Sequence, residues 1–338
     1  MIKDTMRCMG GLLASPPGSS PAPGFLIGHP RGSGQTPRYR GLASGKEPVD
    51  LDEKPEGSTP QWVDLPCGLH GSTEEIARHA HRFQLPARTR GLAVGDLILR
   101  ADVEGVATLT LNRPKVLNAL SPTLFVELRE QIDAIAGEEE AIGCVVLRGE
   151  GRSFSAGNDL KALQAGEVSP SPDFNAETIE ALENLPQPVI ASVRGHCFTG
   201  ALELVLGCDL LICSDTARFA DTHGRWGMAP LWGMSQRLPR RVGELAAKDM
   251  MWSTRPIGSE EAVRIGLANR SVPDSELDTE TAGWAAQIAK SSRFTLRTTK
   301  ELIAGGRDLP LRDALLYERR ESPGAGPDMI ERLKDFGK

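Results

Sequence analysis

The chain is predicted to fold as an α/β protein whose short apolar strands end in tight turns that open helices, and three observations carry that expectation. Strand-like and helix-like runs alternate from about residue 94, at unequal lengths and without an internal repeat. Two glycine-centred turns, Phe154 to Lys161 and Gly195 to Leu204, each follow an apolar run and lead into a helical one, with Gly157 and Gly200 43 residues apart. Beyond Glu260 the pattern turns helical. In α/β folds, turns at strand ends are where functional groups gather.

The elements follow in order. Leu97 to Ala101 and Val106 to Leu111 read as strands of a hairpin around Asp102-Val103-Glu104-Gly105, the second alternating Val106, Thr108 and Thr110 against Ala107, Leu109 and Leu111. Ser121-Pro122 is an N-cap followed by proline at the first helical position, and Leu124, Leu128, Ile132 and Ile135 recur at helical spacing. Gly143 to Arg148 is a short apolar strand that runs toward the first glycine turn. Then come a helix over Ala176 to Leu185, a strand over Val189 to Val193, the second turn, a helix over Gly200 to Leu206 and a strand over Asp209 to Ser214. Helices over Ala282 to Ala289, Leu296 to Ile303 and Leu311 to Arg320 are expected to close over the core or a neighbouring subunit. The weakly patterned stretch from Ala162 to Asn175 reads as a mobile loop beside the site.

Composition bounds the organisation. With 338 residues, 40% hydrophobic, the chain can bury a sizeable core. Gly, Pro and Ser supply 25 of the first 60 residues, so 1–60 is expected to be a disordered extension and 61–93 a poorly ordered linker with a short helix at Thr73 to Arg82. A core over 94–290 and a helical region over 291–338 follow. The acid-poor start faintly resembles an organelle-targeting peptide, but its Pro/Gly density opposes the amphipathic helix such a peptide needs, and a cytoplasmic protein is expected. A net charge of −6 disfavours nucleic acid or a membrane surface as the main partner. Glu203 and Asp209 interrupt even the most apolar run, so no membrane insertion is expected. Six scattered cysteines without a CxxC pair read as buried thiols in a reducing compartment rather than a disulfide framework or metal site.

The two turns suggest the chemistry. A turn that opens a helix leaves backbone N–H groups unpaired, and two such donors converging on one oxygen stabilise developing negative charge on a carbonyl. Gly200 starts a helix, where the dipole adds to its N–H. Glu203 stands one turn along the same helix between Leu202 and Leu204, in apolar surroundings that raise a carboxylate's pKa. A polarised carbonyl beside a carboxylate describes proton transfer next to a thioester or similar acyl group. The plainer alternatives are two tight turns and a helix-dipole or salt-bridge carboxylate.

Leu109 to Lys115 with Leu117 to Leu120, the turn Phe154 to Lys161 and the run Gly195 to Cys213, in that order and spacing, resemble the crotonase (enoyl-CoA hydratase/isomerase) superfamily over roughly residues 94–338. The resemblance implies a spiral of ββα units with C-terminal helices that trimerise, hence a homotrimer or hexamer. It also implies an acyl-CoA thioester substrate with no separate cofactor, coenzyme A being part of the substrate, and no metal. By the same resemblance the two oxyanion-hole N–H groups belong to Asn158 and Gly200. Lys115 and Leu117 are placed near the pantetheine or phosphates, Ala156 and Leu160 near the adenine, and Gly157 and Asp159 in the same binding turn, with Arg332 or Lys334 as a basic contact from the last helix. Trp226 and Trp232 line the acyl pocket or pack beneath the loop.

One position departs from the family. Its hydratases carry a second glutamate in a Phe-x-x-x-Glu segment, and aligning Phe219 to Gly227 puts His223 there, with Asp221 two residues before as the reserve candidate. Histidine titrates near neutrality and can act as base or acid, or can serve as a structural hydrogen-bonding residue. Hydration of a 2-enoyl-CoA with catalytic Glu203 and His223 is the leading expectation. Double-bond isomerisation by Glu203 alone, acyl-CoA hydrolysis or decarboxylation, and a non-catalytic scaffold or RNA-binding relative are the alternatives.

Overall fold

In the computed structural model, which describes residues 97–334, the α/β expectation takes the form of two sheets with helices packed around them. The larger sheet has six strands in the order β1 (Ile98–Val103), β2 (Val106–Leu111), β3 (Cys144–Gly149), β4 (Val189–Val193), β6 (Leu210–Ser214) and β9 (Arg270–Val272). Only β1 and β2 pair antiparallel; the remaining neighbours are parallel. A three-stranded sheet of β5 (His196–Phe198), β7 (Arg218–Ala220) and β8 (Ile257–Gly258) stands apart from it. The expected disordered extension over 1–60 and the linker helix over 61–93 lie outside the described residues.

The hairpin is tighter than expected. β1 continues to Val103, which pairs with Val106, and the turn is the two residues Glu104 (φ 48°) and Gly105 (φ 78°). A two-residue turn with both φ positive carries the twist that adjoining strands require. Ala107, Leu109 and Leu111 are fully buried on one face of β2. The Ser121 side chain accepts the Leu124 N–H and starts α1 (Pro122–Ala136), whose Leu124, Leu128, Ile132 and Ile135 are all buried. Glu127 on this helix is buried as well, and its Oε2 accepts the N–H groups of Leu97 (2.9 Å) and Ile98 (3.2 Å), tying the edge strand to the helix.

The strands β3, β4 and β6 divide their side chains with period two. Val145, Leu147, Val189, Ala191, Leu211 and Cys213 face the main core. Cys144, Val146, Ile190 and Ile212 face a second cluster with Leu277, Ala285 and Ala289 of the helix Leu277–Ala289. With both faces covered, the parallel strands read as continuous apolar runs in the sequence. The C-terminal region is helical over Arg293–Gly306, Leu311–Glu321 and Met329–Leu333. The stretch expected as a mobile loop begins within the short helix α2 (Leu160–Gln164), and Glu167 Oε1 accepts from Thr123 N (2.7 Å) and Thr123 Oγ1 (2.6 Å), which anchors it to the start of α1. It ends within α3 (Phe174–Glu183), which starts two residues before the expected helix and buries Thr178, Ile179 and Leu182.

Candidate active site

Tertiary structure brings the two glycine turns together. Ser155 and Cys197 form a β-bridge, with Ser155 N donating to His196 O (2.8 Å) and Phe198 N donating to Ser155 O (3.3 Å). Gly157 has φ +95°, and a Cβ there would lie 2.5 Å from Phe198 O and 3.6 Å from Gly200 N. Only glycine fits this crossing without strain. Among the described residues, neither the Asn158 nor the Gly200 N–H donates to another atom of the chain.

A polar scaffold holds the first turn. Asn118 is fully buried at φ 52°; its Nδ2 donates to Glu150 O (2.9 Å) and Ser153 O (2.8 Å), while its Oδ1 accepts Arg113 N (2.8 Å). Ser155 Oγ donates to Asn118 O (2.7 Å) and accepts Gly157 N (3.1 Å). Asp159 caps α2 by accepting Lys161 N and Ala162 N, and its other oxygen meets Arg113 Nη1 at 2.8 Å. Burial pushes the Asp159 carboxyl up, but the Ala162 N–H, the Arg113 guanidinium and the Lys161 N–H outweigh it and hold the group below its usual range.

The second turn is held by a residue in an unfavourable conformation. Thr199, immediately before α4 (Gly200–Leu206), has φ 52° and ψ −109°, a region that a β-branched residue rarely occupies. Its N–H donates to Ala220 O (2.8 Å), and its hydroxyl meets the Thr222 hydroxyl at 2.5 Å and accepts Thr222 N at 3.0 Å. Thr199 thus links the start of α4 to the segment that carries His223. On the other side, a Cβ on Gly200 would lie 2.5 Å from the Trp232 ring, which packs edge-on against Phe125 with centroids 5.1 Å apart.

Glu203 is 2% exposed. Its Oε1 accepts Trp232 N (3.0 Å) and Met234 N (3.1 Å), which fixes the carboxylate, while Oε2 faces His223 Nε2 at 3.9 Å. That separation is too long for a hydrogen bond and suits a bridging water. Burial raises the Glu203 pKa, opposed by the Met234 N–H, the His223 charge and the Trp232 N–H, and the net direction is upward. His223 begins the short helix His223–Trp226, and its Nδ1 lies 2.7 Å from Asp221 Oδ1, an atom that also accepts His223 N at 3.0 Å. Burial alone would lower the His223 pKa, but the hydrogen bond and charge of Asp221 and the charge of Glu203 raise it above 6.5. A carboxylate and an imidazole, both shifted toward their protonated forms, face each other beside the two packed turns.

The sequence matches the family model for enoyl-CoA hydratase/isomerase over residues 102–320. The chain belongs to the enoyl-CoA hydratase/isomerase family, the crotonase superfamily. Among the relatives of this hydratase/isomerase-family chain, a probable enoyl-CoA hydratase of Rhizobium meliloti is 36% identical over 236 residues, covering 68% of this chain and 91% of that protein. A crotonyl-CoA hydratase of Syntrophomonas wolfei is 31% identical over 231 residues, covering 67% and 88%. The crystal structure of an enoyl-CoA hydratase from Bacillus anthracis superposes with a TM-score of 0.68 at 32% identity, covering 71% of this chain and 96% of that one.

The other expected contacts of this crotonase-superfamily chain fall as follows. Lys115, Ala156 and Leu160 are exposed, Leu117 (φ 53°) is half-buried, and Ala156 N donates to Leu117 O at 2.9 Å, so the first motif and the first turn share an edge. Trp226 is 61% exposed, whereas Trp232 packs against Gly200. Arg332 pairs with Asp328 at 2.5 Å and Lys334 with Glu331, both within the last helix and its flanks. Cys144, Cys197, Cys208 and Cys213 are buried free thiols, and burial pushes Cys144 and Cys208 up to about 12. Among the described residues no group of three or more His, Cys, Asp or Glu could hold a metal ion, and no helix is long and apolar enough to cross a membrane. Sequence reasoning missed Thr199, whose role depends on a backbone angle, and Asn118, whose four-residue neighbourhood was part of a motif but whose buried contacts are long-range.

Proposed function

We propose that this chain hydrates a 2-enoyl-CoA to a 3-hydroxyacyl-CoA. The observation that carries the reading is the 3.9 Å gap between Glu203 Oε2 and His223 Nε2 beside the packed Gly157 and Gly200 turns. The thioester oxygen takes the free N–H groups of Asn158 and Gly200, the latter at the N-terminus of α4 where the dipole favours negative charge. Ionised Glu203 removes a proton from a water held toward His223, and the oxygen of that water bonds to the β-carbon. The double-bond electrons move onto the thioester as an enolate, and its charge is stabilised by the two amides. Protonated His223 then gives its Nε2 proton to the α-carbon, a role that its raised pKa favours. A donor of the oxyanion-hole kind is worth about 10²–10³ in rate.

The acyl-CoA occupies the edge formed by Lys115, Leu117, Ala156, Gly157, Asp159 and Leu160. Self-association through the C-terminal helices would cover the exposed Ile303, Leu311, Leu315 and Ile330, which are 69%, 76%, 47% and 64% exposed in the single chain. The unbridged buried thiols suit a reducing compartment such as the cytoplasm. The test is incubation of the purified chain with crotonyl-CoA in water and in H₂¹⁸O, with mass spectrometry of the thioester. Formation of the hydrated product carrying one labelled oxygen is expected. A folded chain that hydrates no 2-enoyl-CoA but shifts the double bond of a 3-enoyl-CoA would replace this reading by isomerisation.

A further inference from the structure

Asp221 is 1% exposed, and a carboxylate so far from water needs donors or a counter-charge. The donors that its Oδ1 finds are both on His223, the backbone N–H at 3.0 Å and Nδ1 at 2.7 Å. These two contacts close a small ring that fixes the imidazole about both its backbone and its side chain. The geometry points to Asp221 as a positioning residue that turns the His223 ring and keeps a proton on Nδ1, leaving Nε2 as the exchangeable nitrogen presented to Glu203. The inference rests on the hydratase reading of the site and adds how a histidine serves where a second carboxylate is expected.

The proton count closes within the pair. In the hydration step an O–H bond of water breaks to protonate Glu203, and the Nε2–H bond of His223 breaks to form the α C–H bond. His223 is then neutral but still bonded through Nδ1–H to Asp221, so the emptied Nε2 faces the newly protonated Glu203. The proton passes from Glu203 Oε2 to Nε2 through one water across the 3.9 Å gap, restoring carboxylate and imidazolium. Without Asp221 the imidazole has no fixed tautomer, and either nitrogen could turn toward Glu203.

Among the described residues, the charged groups around His223 are few. Asp221 lies on its own segment and Glu203 on α4. Arg225 is engaged with Thr254 Oγ1 (3.1 Å) and Thr254 O (2.9 Å). On the helix Glu244–Ser253, which packs against His223–Trp226, Glu244 pairs with Lys248 and Asp249 pairs with Arg255.

Three variants of the full-length chain, D221N, D221A and H223Q, separate the roles. Their pH–rate profiles for crotonyl-CoA hydration are read beside ¹⁵N resonances of His223. The side-chain amide that D221N introduces can still accept the Nδ1 proton but carries no charge. D221N is therefore expected to keep KM within about twofold, to move the His223 titration and the alkaline limb together to lower pH, and to lose about tenfold in kcat at the wild-type optimum, the equivalent of one pKa unit. D221A is expected to lower kcat at every pH, toward H223Q. In the wild type, the Nδ1 proton is expected as a slowly exchanging downfield resonance that disappears in H223Q, a readout that survives if the Asp221 variants fail to fold. Absence of that resonance, or unchanged His223 titration in D221N, overturns the assignment and leaves the hydratase reading intact. A lowered titration with an unchanged hydration profile supports Asp221 as the residue that sets His223, and removes His223 from the hydratase reading.

Discussion

Replacing Glu203 by glutamine and by alanine separates its chemistry from its place in the fold. Oε1 accepts two backbone N–H groups, from Trp232 and Met234, at the entry to the helix Met234–Val242. E203Q retains an oxygen for both donors, whereas E203A leaves both unpaired, the Met234 N–H buried and the Trp232 N–H partly buried, at about 1–3 kcal/mol for the first and less for the second. Losing the general base costs about 10²–10⁴ in rate in either variant. The linkage sign follows from the raised carboxyl. The stability that Glu203 itself contributes falls as pH rises from 4.5 through its higher folded-state pKa, because the unfolded chain ionises this carboxyl more easily. E203Q removes that fall, so its advantage in melting temperature over wild type should grow with pH across this window, while E203A melts lower throughout. Steady-state hydration of crotonyl-CoA and thermal melts from pH 4 to 8 check both halves. Wild-type turnover in E203Q would refute the base, and equal melting of E203Q and E203A would refute the two hydrogen bonds.

Hydration by the wild type should follow a bell in pH, rising as Glu203 ionises above 4.5 and falling as His223 loses its proton above 6.5, with the two limbs belonging to the pair rather than to either residue; a flat profile across both limbs would contradict the assignment. Gly157→Ala forces a Cβ to 2.5 Å from Phe198 O at φ +95° and should cost at least about 1–2 kcal/mol by urea titration, together with most of the activity. Gly200→Ala meets the Trp232 ring at 2.5 Å, so the double variant with Trp232→Leu should recover part of the lost activity; a double variant no better than the single one would show that the ring is not the obstacle. Thr199→Val keeps the shape but removes the hydroxyl shared with Thr222. It should destabilise the chain by about 1–3 kcal/mol in the same titration and lower kcat more than it raises KM.

The α/β alternation was legible because both sheet faces are covered, which makes each parallel strand a short apolar run, and because Ser121-Pro122 marks a helix start chemically. The glycine turns were legible too, since Gly157 must sit where any side chain would strike Phe198 O. Local pattern could place Glu203 on a helix near Gly200, because three residues along a helix is a fixed geometry. It could not place the boundary of the first hairpin, which was set by a two-residue twist matched to the strands rather than by the four turn-like residues between them.

Sequence by itself determined the family, the order of elements and the acid on the helix, because each is written in spacings of a few residues. Tertiary structure alone decided which groups meet. Asp221 and His223 meet within one short segment, but Glu203 reaches His223 and the amides of Trp232 and Met234 only through the fold, and the Thr199 backbone, strained in isolation, is held by hydroxyl and amide contacts to a segment 23 residues away. Such contacts cost chain entropy that only the assembled core repays, so no local pattern in the sequence announces them.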